Sequence, residues 1–161
     1  MLVFVRSATI VLAALLAACA PAPPPAAAPG TQSDSPPKDP AAEPAYAHAA
    51  EELAGLNRRA EALLARGQAD QAGAIVAAAE PLENRLLSAP RPTLAAMEAA
   101  SDRDDLYGRM LLSNHNYGWA RMTFQKNLIR WKNWKPRTEE SARRLKQAAS
   151  AVAECDRRMA Q

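Results

Sequence analysis

Residues 117–131 read YGWARMTFQKNLIRW, and this stretch decides the fold. Tyr117, Ala120, Phe124, Leu128 and Trp131 are separated by three or four positions, which places them on one face of an α-helix. Asn114-His115-Asn116 before it has poor helix propensity and reads as a turn. Pro136 beyond it ends the helix.

Working outward, the same period continues on both sides, and no β-branched residues alternate as a strand would need. Upstream, Tyr46, Ala49, Leu53, Leu56, Ala60 and Leu63 form a stripe closed by Gly67. Ala72, Ile75, Val76 and Ala79 form the next. Pro81 marks a kink or the first turn of a further segment carrying Leu82 and Leu86, and Ser88–Pro92 breaks the chain. A short helix is expected from Thr93 to Ala100. A separate one is expected to start at Ser101, with Asp104 three residues on and Leu106, Met110 and Leu111 along it. Downstream, Thr138 opens a last helix with Leu145, Ala148, Ala149, Val152, Cys155 and Met159 on one face. The expectation is an all-α domain over 45–161, built of antiparallel helical hairpins with a C-terminal capping helix.

The pattern Asn116-Tyr117-x-x-Ala120-x-x-x-Phe124-x-Lys126-x-Leu128, with Gly108 and Leu111 before it, resembles a tetratricopeptide repeat. In that family the small residues let two helices approach and the large ones fill the gap to the next unit. Ala60, Gly67, Ala72 and Ala79, with Leu56, Leu63 and Val76, resemble a second such unit. The resemblance implies stacked hairpins presenting a groove. The sequence departs from the family in its 48-residue spacing from Ala60 to Gly108, against 34, and in the charged Arg59 and Asp104 at usually apolar positions. A plain antiparallel bundle shares the same periodicity.

Charge is segregated. Residues 101–161 carry a net +6 and residues 1–100 a net −3, which the whole-chain +3 conceals. No acid occurs between Asp105 and Glu139, a span that also holds all three tryptophans. Trp119 lies off the apolar stripe, on a face with Thr123, Lys126, Arg130 and Asn133. Trp119, Lys126, Arg130, Trp134 and Lys135 are therefore the expected binding patch, of a kind that takes anions or rings. The bland alternative is a tryptophan packed on a neighbouring helix among solvated cations.

The amino-terminal segment reads MLVFVRSATIVLAALLAAC, with one charge and an apolar run too short for a membrane span of about 20 residues. Leu16-Ala17-Ala18-Cys19 resembles the lipobox of bacterial lipoprotein signal peptides. That resemblance implies a signal peptide over 1–18, cleavage before Cys19, diacylglycerol on its thiol and an acylated amino terminus carrying chains such as palmitate. Ala20, in place of an aspartate, points to the outer membrane facing the periplasm. Residues 19–44 hold nine of the 13 prolines and read as a polyproline-biased tether that reaches about 75 Å when extended.

No catalytic pattern is present. His48 and His115 lack acidic partners at metal-ligand spacing, and Asp102, Asp104 and Asp105 read as a helix-start cluster. No phosphate loop, HExxH or GxSxG occurs. The expectation is therefore a non-enzymatic lipoprotein of the cell envelope, without cofactor or metal. Its expected partners are the membrane, through the lipid anchor, and an envelope protein, through the helical scaffold. The alternative is a module contacting peptidoglycan or anionic lipid through the patch. Nucleic acid is not an expected partner.

Overall fold

The computed structural model describes residues 39–161, and every regular element among them is helical. A 3₁₀ turn at Pro40–Ala42 precedes α1 (Pro44–Ala65), α2 (Ala69–Ala78), α3 (Glu80–Leu87), α4 (Leu94–Ser113), α5 (Tyr117–Asn133) and α6 (Glu139–Met159). The signal peptide, Cys19 and residues 19–38 of the expected tether lie outside the described residues. The rest of that tether, 39–44, is the capped turn and the first helical residue. The Asp39 carboxylate accepts from the Ala41 amide at 3.0 Å, and Pro44 supplies the preset φ suited to a helix start. Among the described residues no helix is long and apolar enough to cross a bilayer.

The architecture is the expected set of antiparallel hairpins, and its two main hairpins close in the same way. At the end of α1, Gly67 has φ 73°, its amide donates to the Leu64 carbonyl, and the Gln68 amide donates to the Leu63 carbonyl, both at 2.9 Å. At the end of α4, His115 has φ 61°, its amide donates to Leu112 at 3.1 Å, and Asn116 donates to Leu111 at 2.9 Å. Both are Schellman caps, which satisfy the last carbonyls of a helix through one left-handed residue.

The correspondence extends along both helices at a constant offset of 48 residues. Ala65 and Ser113 end the first helices, and Ala69 and Tyr117 begin the second ones. Ala60 matches Gly108, Ala72 matches Ala120, and Val76 matches Phe124, all of them buried. The unit repeated here is thus 48 residues long. Where the second copy runs on as unbroken α5, the first is divided into α2 and α3 by Pro81. Proline lacks the amide that would continue α2, and its ring crowds the carbonyl four residues back.

One expected boundary is corrected. The segments 93–100 and 101–113 form a single helix, α4, whose Thr93 Oγ1 accepts from the Ala96 amide at 3.3 Å. Ser101 is therefore a helix-interior residue. Its hydroxyl has a tertiary partner, the Trp131 indole N–H at 2.8 Å, so it does not compete for local backbone groups. Asp102, Asp104 and Asp105 consequently sit in mid-helix, away from the amino-terminal dipole.

Three apolar clusters run through the domain. The first joins α1, α3 and α4 around Leu53, Leu86 and Ala96. Tyr46 seals it by donating its hydroxyl to the Leu86 carbonyl at 2.7 Å. The second joins α1, α2 and α4 around Ala60, Ala72, Val76 and Leu106. The third joins α5 and α6 around Ala120, Phe124, Val152 and Cys155. The α4–α5 contact leaves no room for a side chain at Gly108, where a Cβ would stand 2.5 Å from the Phe124 ring. The capping helix α6 starts with a reciprocal pair: the Ser141 amide donates to Thr138 Oγ1 at 3.1 Å, and the Thr138 amide to Ser141 Oγ at 2.9 Å. Its buried stripe is Ser141, Ala148, Val152 and Cys155. Leu145 is only half-buried, while Ala149 and Met159, expected on that stripe, face solvent.

Candidate interaction surface

The surface formed by α5 is set by charges beneath it. Glu83 of α3, Arg103 and Asp104 of α4 and Arg130 of α5 are all nearly enclosed, with Asp104 only 1% exposed. Arg103 donates to the Val76 carbonyl at 2.9 Å and to Glu83 at 2.5 Å. Arg130 donates to Asp104 at 2.9 Å and to the Asn127 side-chain oxygen, and lies 3.5 Å from Glu83. Lys126 closes the group from the rim, its Nζ donating to Asp104 at 2.8 Å. Two buried carboxylates thus meet two buried guanidiniums, the arrangement a low-dielectric interior requires. Burial, then the nearby Asp104 charge, pushes the Glu83 carboxyl above its ordinary range, while Lys126, Arg103 and Arg130 pull it back. Ser101 and Trp131 pin the neighbouring turn. Arg144 of α6 lies over the Trp131 ring at 5.4 Å and bonds Asp102 at 2.5 Å.

This arrangement redraws the expected patch. Arg130 was read on an outer face but is only 7% exposed, because its guanidinium turns inward to Asp104. Lys126 keeps an exposed stem while its ammonium is taken by the same carboxylate. Thr123 is buried and donates to the Trp119 carbonyl at 3.0 Å. Trp134 is half-buried, its ring 6.3 Å from Trp131 at 70°. Of the five residues, only Trp119, 66% exposed, and Lys135 remain open to solvent with unengaged heads. Cys19 lies outside the described residues.

What the outer face does hold is apolar. Met122 and Ile129, each 57% exposed, lie along α5 on the same side as Trp119. Patterning assigned them no role, although their spacing from Trp119, three and ten positions, was visible. Beside this face a hollow of about 240 Å³ runs between α2, α4 and α5, lined by Val76, Asp104, Tyr107, Met110, Thr123 and Lys126. A more open hollow of about 460 Å³ sits at the tip of the α1–α2 hairpin, between Arg59, Leu63, Arg66 and Ile75.

Titratable groups are mostly paired at the surface. Glu140 lies between Arg143 and Arg144, which hold its carboxyl down to about 2, chiefly through the Arg143 hydrogen bonds. Cys155 is buried, and desolvation pushes its thiol up. Among the described residues no three His, Cys, Asp or Glu side chains gather as a metal site. No known protein family, curated protein or solved structure matches the chain.

Proposed function

We propose that this chain is a lipid-anchored helical adaptor of the bacterial cell envelope, non-enzymatic, which holds a partner protein near the membrane. The observation that carries the adaptor reading is the exposed Trp119, Met122 and Ile129 on a helix fixed from beneath by buried ion pairs. A rigid element presenting large apolar side chains is what protein recognition uses. The repeated hairpins, in keeping with the tetratricopeptide-like pattern, and the hollow beside Tyr107 add a concave wall. The anchor rests on Leu16-Ala17-Ala18-Cys19, and the proline-rich stretch after it gives the folded part reach.

Labelling cells with a palmitate analogue tests the location. The expected result is label in the wild type, none in Cys19→Ala, and recovery of the chain in outer-membrane fractions. Unlabelled chain retaining its first residues in the cytosol overturns the reading. A second reading, contact with peptidoglycan or anionic lipid, draws on the exposed Trp119 in the first turn of α5 and on Lys132, Lys135 and Arg137 at its carboxyl end. These three cations meet no carboxylate among the described residues. It requires the full chain to co-sediment with cell wall or anionic vesicles at low salt and to release as salt rises.

A further inference from the structure

The outward face of α5 has a spacing of its own. Trp119, Met122, Lys126, Ile129 and Asn133 follow one another at intervals of three and four, the a and d positions of two heptads. At 100° per residue its apolar members span about 80° of the helix. That is narrower than the roughly 100° stripe a helix turns toward a broad apolar surface, and close to a coiled-coil seam. The seam's apolar members, Trp119, Met122 and Ile129, are exposed beyond the faces α5 packs on α4 and α6, while the Lys126 ammonium turns back to Asp104 of α4. Its carboxyl end is cationic: α5 contains no acid, and Lys132, Lys135 and Arg137 stand there, while Lys126 within the seam is already matched by Asp104.

We propose that this seam docks an amphipathic helix from a partner protein, with apolar residues at its own a and d positions and Asp or Glu beside them. The proposal rests on the adaptor reading and gives that partner its chemistry. A second copy of this chain fits poorly. Parallel pairing of α5 with itself sets Lys132 and Lys135 against their own counterparts, and an antiparallel pair, which avoids that, leaves these cations without an acid to meet. An acidic flank instead meets Lys132 and Lys135 with opposite charge and lets Trp119, Met122 and Ile129 enter holes of the facing helix.

The test titrates the full chain with three probes: a helical peptide with Leu at a and d and Glu at the flanking positions, the same peptide with Lys at the flanks, and phosphatidylglycerol vesicles. The Glu peptide is expected to bind, more weakly as salt rises, and the Lys peptide to bind at least about ten-fold less well. Ile129→Asp, at an exposed position, is expected to reduce Glu-peptide affinity about ten-fold or more with an unchanged circular-dichroism spectrum; Met122→Asp repeats the test at the other d position. Equal binding of both peptides, no binding of either, or full affinity in both aspartate variants overturns the proposal. So does binding of the vesicles without the Glu peptide, or a chain that dimerises through this face. Failure of palmitate labelling would remove the envelope location and leave the peptide result standing. Loss of peptide binding with labelling intact removes the seam alone.

Discussion

Gly108 is the position where one atom decides packing. In the interior of an exposed helix, alanine is better than glycine by about 0.5–1 kcal/mol. At Gly108 the added Cβ would stand 2.5 Å from the Phe124 ring, a clash with a fully buried aromatic of the α4–α5 contact. Overpacking dominates, and Gly108→Ala is expected to lose about 1–3 kcal/mol in urea unfolding. Phe124→Leu in the same chain should recover part of that loss, since it removes the ring the methyl meets. Glu140 supplies a second residue-level expectation. Its folded value, about 2, lies below the ordinary 4.5, so its contribution to stability is present above pH 4.5 and fades as pH falls towards 2. An NMR titration of its side-chain carboxyl should find that low midpoint, and Arg143→Gln should raise it. A midpoint near 4.5 in the unsubstituted chain would show that the Arg143 contact does not persist in solution.

At the level of elements, the two Schellman turns make a controlled pair. Gly67 holds its left-handed φ without steric cost, whereas His115 holds nearly the same angle against its own Cβ, at about 1–2 kcal/mol. His115→Gly is therefore expected to stabilise the chain by roughly 1 kcal/mol, less whatever the tilted contact of its ring with Tyr117 contributes. Gly67→Ala should cost a similar amount, and thermal unfolding of the two variants should move in opposite directions. Both turns were legible in the sequence, Gly67 as a helix end and 114–116 as a break, because these signals are local. Pro81 was legible as an interruption, with a kink and a new segment both open, and the structure has a new helix there. The boundary at Ser101 was not legible, since serine followed three positions on by an acid looks the same at a helix start as in mid-helix. What distinguishes them here is a hydrogen bond to Trp131, 30 residues away. The outer stripe of α5 was legible in spacing but not in exposure, because period alone marks two faces without telling which one is covered.

At the scale of the whole molecule, the two hairpins are joined by charge as well as by apolar packing. Glu83, Arg103, Asp104 and Arg130 come from three helices, and Arg103 reaches a fourth through the Val76 carbonyl. In sequence Arg130 belongs to the expected outer patch and Asp104 to a helix-start cluster, at a position a hairpin repeat usually fills with an apolar residue, while nothing in the local pattern marks Glu83 or Arg103. Coulombic attraction between buried partners is strong, but so is the cost of taking each ion out of water. The intact group is thus close to neutral in stability, while a broken one is costly. Arg103→Met leaves Glu83 enclosed without its nearest cation and is expected to lose about 3–5 kcal/mol. In Arg103→Met with Glu83→Leu, the buried charges that remain, Asp104 and Arg130, still face each other at 2.9 Å. The double variant should therefore recover most of the loss, measured by urea unfolding at neutral pH. Because burial raises the Glu83 carboxyl above its ordinary 4.5, the deficit of the Arg103→Met chain should shrink as pH is lowered towards that value, where Glu83 takes up a proton and the orphaned charge disappears. A double variant no more stable than the single one, at both pH values, would mean that the ion pair itself holds the hairpins together. The seam on α5 would then owe its rigidity to that pair directly.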